Sequence, residues 1–232
     1  MSTRVTLMGA GGKMGCRITD QLRDDERYDM RYVEPATEGQ DRLAERGVSV
    51  TPLEEAIDGT DVVVMAVPDD SLGSISNEVV PALDSGSMVV LLDPAAAYAD
   101  VLSDREDITY FVSHPCHPAL FDENRPMEYV TDWFGGQGMA EQDIVCALHQ
   151  GPEEDYARGE ELVQSIYAPV RRTHRLTTEQ MALLEPALVE TLTATLIDTI
   201  HDGMEEIVDD GVPEQAAWDF LMGHIRIEIA II

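Results

Sequence analysis

The chain holds a single lysine, Lys13, among 15 basic residues, set against 45 acidic ones. That shortage of cations excludes whole classes of partner. Nucleic acid and anionic membranes are held by clustered lysine and arginine, and a formal charge of -30 repels both. The acids are spread along the chain rather than gathered at one end, so they do not mark an acidic interaction tail. The remaining basic residues are all arginine, and under this charge the pattern reads as adaptation to high salt, which screens self-repulsion. Cysteine is also scarce. Cys16, Cys116 and Cys146 are odd in number and scattered, as expected of reduced thiols in a cytoplasmic protein. There is no run of about 18 apolar residues and no apolar stretch behind a basic start. Repeats and low-complexity linkers are missing as well.

What is present is an ordinary 44% of apolar residues over 232 positions, enough to bury a core in one large domain or two smaller ones. Strands are expected at 4–8, 30–34 and, briefly, 48–50, with helices at 14–22 and 39–46. "DVVVMAVP" (61–68) and "MVVLLD" (88–93) are short continuous apolar runs, the pattern of parallel strands covered on both faces. The stretch 108–115 continues that series, followed by a strand at 143–149, a helix at 153–166 and a strand at 170–175. Strands alternating with helices imply an α/β fold, a Rossmann-type doubly wound parallel sheet over residues 1–176. From Thr177 onward only helical periodicity remains, so residues 177–232 are expected to form a smaller all-helical domain. Thr177 and Gln180 have capping-box spacing, and Pro213 opens the last helix. That helix ends in "EIAII" without a cap. It reads as an apolar element cut short or completed by a second subunit, which makes a homodimer the expected state.

"VTLMGAGGKMGCRI" (5–18) carries the first functional signal. Gly9-x-x-Gly12-x-x-Gly15 joins a predicted strand to a predicted helix, and backbone N–H groups at such a helix start can receive a pyrophosphate. Glu34 stands at the end of the second strand, 19 residues after Gly15. An acid there binds the adenosine ribose diol and repels a 2′-phosphate, so the expected cofactor is NAD. No arginine for that phosphate occurs in Pro35-Ala36-Thr37-Glu38. Candidate cofactor contacts are Gly9, Ala10, Gly11, Gly12, Lys13 and Met14 in the turn, together with Glu34. Ligands of such sheets sit beyond the carboxyl ends of the strands, which adds Val67, Pro68, Asp69 and Asp93.

Proton transfer points to "SHPCHP" (113–118). His114 or His117 could serve the reacting oxygen, since histidine titrates near neutrality. A metal reading of His114, Cys116 and His117 lacks an evident fourth ligand. Two histidines in an ordered loop remain the plain alternative. At roughly 100° per residue, Met181, Leu184, Leu188, Leu192 and Leu196 form one helical stripe with Glu185 in its middle. A carboxylate there pairs with a buried arginine or takes part in chemistry. Pro186 after it frees the carbonyl of Ala182 and is expected to kink the helix. In the last helix His224 and Glu228 are spaced to pair with each other at a subunit interface.

These residues resemble the 6-phosphogluconate dehydrogenase-like superfamily of NAD(P)-dependent oxidoreductases. Within it, "GAGGKMG", "SHPCHPALF", "QGPEEDYARG" and "THRLTTEQMALLEPALVE" are similar to the D-apionate oxidoisomerase group. The resemblance implies NAD-dependent oxidation of a sugar-acid hydroxyl, with a coupled rearrangement in the apionate case. It also implies a chain running further than Ile232. Many relatives in the wider superfamily place a catalytic lysine on the helix opening the second domain. With Lys13 the only lysine, that role falls to His114, His117 and Glu185, while Arg171, Arg172 or Arg175 could clamp the substrate carboxylate. "GAGGKMG" also resembles the opening of 4-hydroxy-tetrahydrodipicolinate reductase, whose lysine donor is missing here. A NAD-binding sensor without catalysis is the alternative from another class.

Overall fold

In the computed structural model, residues 2–119, 132, 134–135 and 140–231 are described. Val62–Met65 (β3) and Met88–Leu91 (β4) lie at the centre of a seven-stranded sheet, and every side chain in both is buried. That double coverage explains why these stretches lack polar alternation. The other strands are Thr3–Met8 (β1), Tyr28–Val33 (β2), Thr109–Pro115 (β5), Gln142–Gln150 (β6) and Val170–Arg175 (β7). Their order is β2-β1-β3-β4-β5-β6-β7.

Successive strand residues part to opposite faces, and each face has its own core. Val5, Leu7, Val62, Val64 and Phe111 meet Ile18 and Leu22 of α1 (Lys13–Leu22), Leu43 of α2 (Thr37–Glu45) and Leu162 of α6 (Asp155–Ile166). Met8, Val63, Met65, Val89 and Val112 meet Ala56 of α3 (Leu53–Ile57), Leu72 of α4 (Asp69–Val79) and Ala96 of α5 (Ala95–Tyr98). Each large aliphatic side chain so buried contributes on the order of 2 kcal/mol of transfer free energy. The sheet is therefore doubly wound, as the alternating pattern implied.

Two details differ from the sequence expectation. The strand expected at 48–50 is reduced to one bridge, Tyr32 with Val50. Thr51 N–H still donates to the Tyr32 carbonyl at 2.7 Å, but Pro52 after it has no N–H to extend a ladder and turns the chain into α3. The second is direction. β5 and β6 pair antiparallel, whereas all other neighbours in the sheet run parallel.

The chain divides into two compact units, Met1–Ala182 and Leu183–Ile232. The first ends with α7 (Thr178–Ala182), whose capping box is made: Thr177 N–H donates to Gln180 Oε1 at 3.0 Å and Gln180 N–H to Thr177 Oγ1 at 3.1 Å. The second consists of a π-helical segment, Leu183–Thr193, then α8 (Ala194–Asp209) and α9 (Glu214–Ile231). Pro186 lies inside the wide segment. A helix wound with i→i+5 spacing is the local answer to a residue without an N–H. Two hydroxyls follow that longer span, with Thr191 donating to the Pro186 carbonyl at 2.6 Å and Thr193 to the Leu188 carbonyl at 2.8 Å. Of the predicted stripe, Met181 is buried in the first unit, while Leu184, Leu188, Leu192 and Leu196 are exposed. Among the described residues no helix is long and apolar enough to cross a membrane. All three cysteines are free thiols.

Candidate functional site

The strand order places β1 between β2 and β3, so the connections leaving β1 and β3 diverge and open a crevice at their carboxyl ends. A cleft of about 760 Å³ occupies that place. Gly9 and Gly12 form its floor, Glu34 and Pro35 one wall, and Val67 and Pro68 the opposite wall. The chain reaches this shape through glycine. Gly9 has φ +67°, and a Cβ there would lie 2.3 Å from the Ala66 carbonyl oxygen. At Gly15 a Cβ would lie 2.1 Å from the Gly9 carbonyl oxygen, so α1 packs directly on the turn it follows. Gly12 is the N-cap of α1 and meets nothing closer than 3.2 Å.

Glu34 is fixed across this turn. Its Oε2 accepts the Gly11 N–H at 2.9 Å and its Oε1 accepts the Ala36 N–H at 2.9 Å. Gln40 Nε2 donates to the Glu34 carbonyl at 2.9 Å. Ala10 is buried, its N–H bonded to the Val33 carbonyl at 3.1 Å. Lys13 is exposed in the first turn of α1. Met14 packs on the core and faces Arg17 and Phe134 rather than the cleft. Asp69, the first residue of α4, is exposed and outside the cleft lining. Sequence reasoning missed Gln40 and Arg42, which enter the cleft from α2. It searched for an arginine directly after Glu34, whereas a helix turn brings one back from further along the chain.

A second group of residues gathers at the carboxyl ends of β4 and β5. Asp93 Oδ1 accepts the Ala95 N–H at 2.7 Å, and its Oδ2 lies 3.8 Å from His114 Nδ1. His114 Nδ1 lies 2.9 Å from the Leu92 carbonyl, and His117 Nδ1 lies 2.7 Å from the Phe134 carbonyl. A carbonyl can only accept, so Nδ1 carries a proton in both rings. The imidazoles stand edge to face with centroids 6.1 Å apart. His117 holds φ +57°, a region costly for a residue with a side chain, and its ring packs on Phe134 at 4.5 Å. Among the described residues His114, Cys116 and His117 do not converge as metal ligands. Leu120 and Phe121, which close the "SHPCHPALF" stretch, lie outside the described residues.

The arginines expected to clamp a carboxylate are engaged elsewhere. Arg171 donates twice to Asp143, at 3.0 and 2.8 Å, and Arg175 holds Glu153 at 2.7 Å. Arg172 lies 3.9 Å from the same Asp143. All three line β7, the edge strand, where pairing with neighbouring acids is the nearest use for a cation. Glu185 is half-buried in the π-helical segment of the second unit.

Comparison with known proteins decides the family. The chain is 48% identical over 231 residues to the D-apionate oxidoisomerase of Rhizobium rhizogenes, covering 99% of this chain and 83% of that protein. The chain belongs to the D-apionate oxidoisomerase family. Another member, from Cupriavidus necator, is 47% identical and is covered over 84% of its length, with 100% of this chain matched. A solved structure from Cupriavidus necator, described as a semialdehyde dehydrogenase NAD-binding protein in complex with calcium and NAD, superposes with a TM-score of 0.94. It is 47% identical, with 99% of this chain and 83% of that one covered. Residues 122–232 also match the family described as phosphogluconate dehydrogenase (decarboxylating) C-term. The sequence motifs had pointed to the same D-apionate oxidoisomerase group.

Proposed function

We propose that the chain is a NAD-dependent oxidoreductase that removes hydride from a hydroxyl-bearing carbon of a D-apionate-like sugar acid, with accompanying isomerisation. The observation that carries this reading is the glycine-floored cleft facing Glu34. Its floor offers N–H groups at the start of α1 to a pyrophosphate, and its wall offers a carboxylate to a ribose diol. The residues present fit the dinucleotide. The Gly12 position leaves room for a close approach, and the volume of about 760 Å³ suits the adenosine half.

When bound, NAD supplies the hydride acceptor. The protein handles the proton. As the hydride leaves the carbinol carbon, the hydroxyl proton passes to Nε2 of His114 or His117, and a carbonyl forms. Each ring is held for that task by its Nδ1–H bond to a backbone carbonyl. Glu185 is proposed as a carboxylate for the substrate's hydroxyls. The names of the relatives, and the NAD held by the solved Cupriavidus necator protein, support the same reading. We also take the protein to be a cytoplasmic, salt-adapted homodimer. In its support, Leu183–Ile231 contains no buried residue and exposes Leu188, Leu192, Ile197, Trp218 and Phe220.

The test is absorbance at 340 nm with NAD and a panel of sugar acids. His114→Asn and His117→Asn keep a donor where Nδ1 stands and delete Nε2. One of the two is expected to lower kcat by roughly 10²–10⁴ while NAD affinity holds. Glu185→Gln should likewise reduce turnover far more than NAD binding. Tight NAD binding without reduction across the panel would favour a sensor instead.

A further inference from the structure

We propose that Arg42 is a seat for a 2′-phosphate on the adenosine ribose, held shut by Glu34, so that the pair together sets which dinucleotide the cleft accepts. The inference rests on the dinucleotide reading of this cleft. One residue, Gly11, links the two side chains. The Gly11 N–H donates to Glu34 Oε2 at 2.9 Å, and the Gly11 carbonyl accepts from Arg42 Nε at 2.7 Å. Both residues line the cleft wall beside Gly9 and Gly12. The Glu34 carboxylate is pinned there by its second bond, to the Ala36 N–H.

Arg42 is anchored through Nε alone. Its terminal nitrogens make no hydrogen bond or ion pair with the described residues. Arg46, one turn further along, pairs with Asp20 at 3.1 Å. An arginine left without a carboxylate in a chain with 45 acidic residues, its stem fixed and its outer donors at a nucleotide cleft, has the chemistry of a phosphate fork. Glu34 opposes it. A carboxylate within a few ångströms repels a phosphate dianion while accepting from the 2′- and 3′-hydroxyls of an unmodified ribose. Sequence spacing reveals only the repelling half, because the attracting half arrives from α2.

Calorimetric titration of the intact protein with NAD and with NADP, at one fixed salt concentration, separates the possibilities. Variants would be Glu34→Gln, Glu34→Ser and each combined with Arg42→Met, which keeps the stem and removes the fork. Thermal melting would establish that each remains folded. Glu34→Gln or Glu34→Ser is expected to tighten NADP roughly tenfold or more, the scale of one charge-assisted phosphate contact. Arg42→Met in either background should erase that gain. A gain of equal size with Met at position 42, or no gain in a folded variant that still binds NAD, would overturn the role of Arg42. Failure of the wild type to bind NAD would overturn the dinucleotide reading itself, and the Arg42 seat with it.

Discussion

Two glycines three residues apart do different work in the turn, and substitution separates them. At Gly15 an added methyl would lie 2.1 Å from the Gly9 carbonyl oxygen and 2.6 Å from the Ala10 carbonyl, both backbone atoms with nowhere to move. Gly15→Ala must lift α1 from the sheet and is expected to cost about 3 kcal/mol or more, seen as a lower melting temperature. At Gly12 the nearest atom would be 3.2 Å away, so Gly12→Ala should fold with a melting temperature within a few degrees of wild type. Its methyl, however, stands where a pyrophosphate would approach. NAD affinity measured by titration should fall roughly tenfold or more. If the two variants lose stability in parallel, Gly12 serves packing and is no part of a binding floor. The histidines show the same economy of placement. Neither tautomer follows from "SHPCHP", because each is set by a carbonyl distant in the chain, that of Leu92 or Phe134.

Elements divide into those whose cause is local and those whose cause is not. β3 and β4 were legible because strands covered on both faces must be apolar throughout. The Thr177–Gln180 cap was legible because both bonds close within four residues. The direction of β6 was not, since an alternating pattern is the same read along either neighbour. Nor was the fate of residues 48–50, where apolar side chains promised a strand and Pro52 ended the ladder. Arg42 was hidden because the folding-back of α2, rather than spacing after Glu34, brings it to Gly11. The outer strand pair also carries a measurable charge effect. The Arg171 hydrogen bonds hold the Asp143 carboxyl below its usual 3.8, against a smaller opposing effect of burial. A depressed folded pKa gives stability that is present above the unfolded value and is lost as pH falls through the folded one. Comparing wild type with Asp143→Asn by chemical denaturation should show a difference on the order of 1 kcal/mol at pH 6. That difference should shrink toward zero as pH is taken below 3.8. A difference that persists in acid would mean the residue acts through packing instead.

At the scale of the whole molecule, the charge of -30 and the apolar helical unit make opposite demands on solvent. Self-repulsion falls as salt shortens the Debye length from about 10 Å at 0.1 M to about 3 Å at 1 M. Burial of exposed leucines, isoleucines and aromatics against a second copy needs two strongly acidic chains to approach, so association should depend on that same screening. Dialysis to low ionic strength is therefore expected to reduce the helical circular dichroism signal, and added KCl to raise the melting temperature. Sedimentation velocity should show dimer replacing monomer over the same salt range. Because most screening is complete near 1 M, any further rise between 1 and 3 M would have to come from strengthened apolar burial rather than from charge. A circular dichroism signal and a sedimentation coefficient both unchanged at low salt would remove salt adaptation from the account. The acidic surface would then be explained only as a means of keeping anionic partners away.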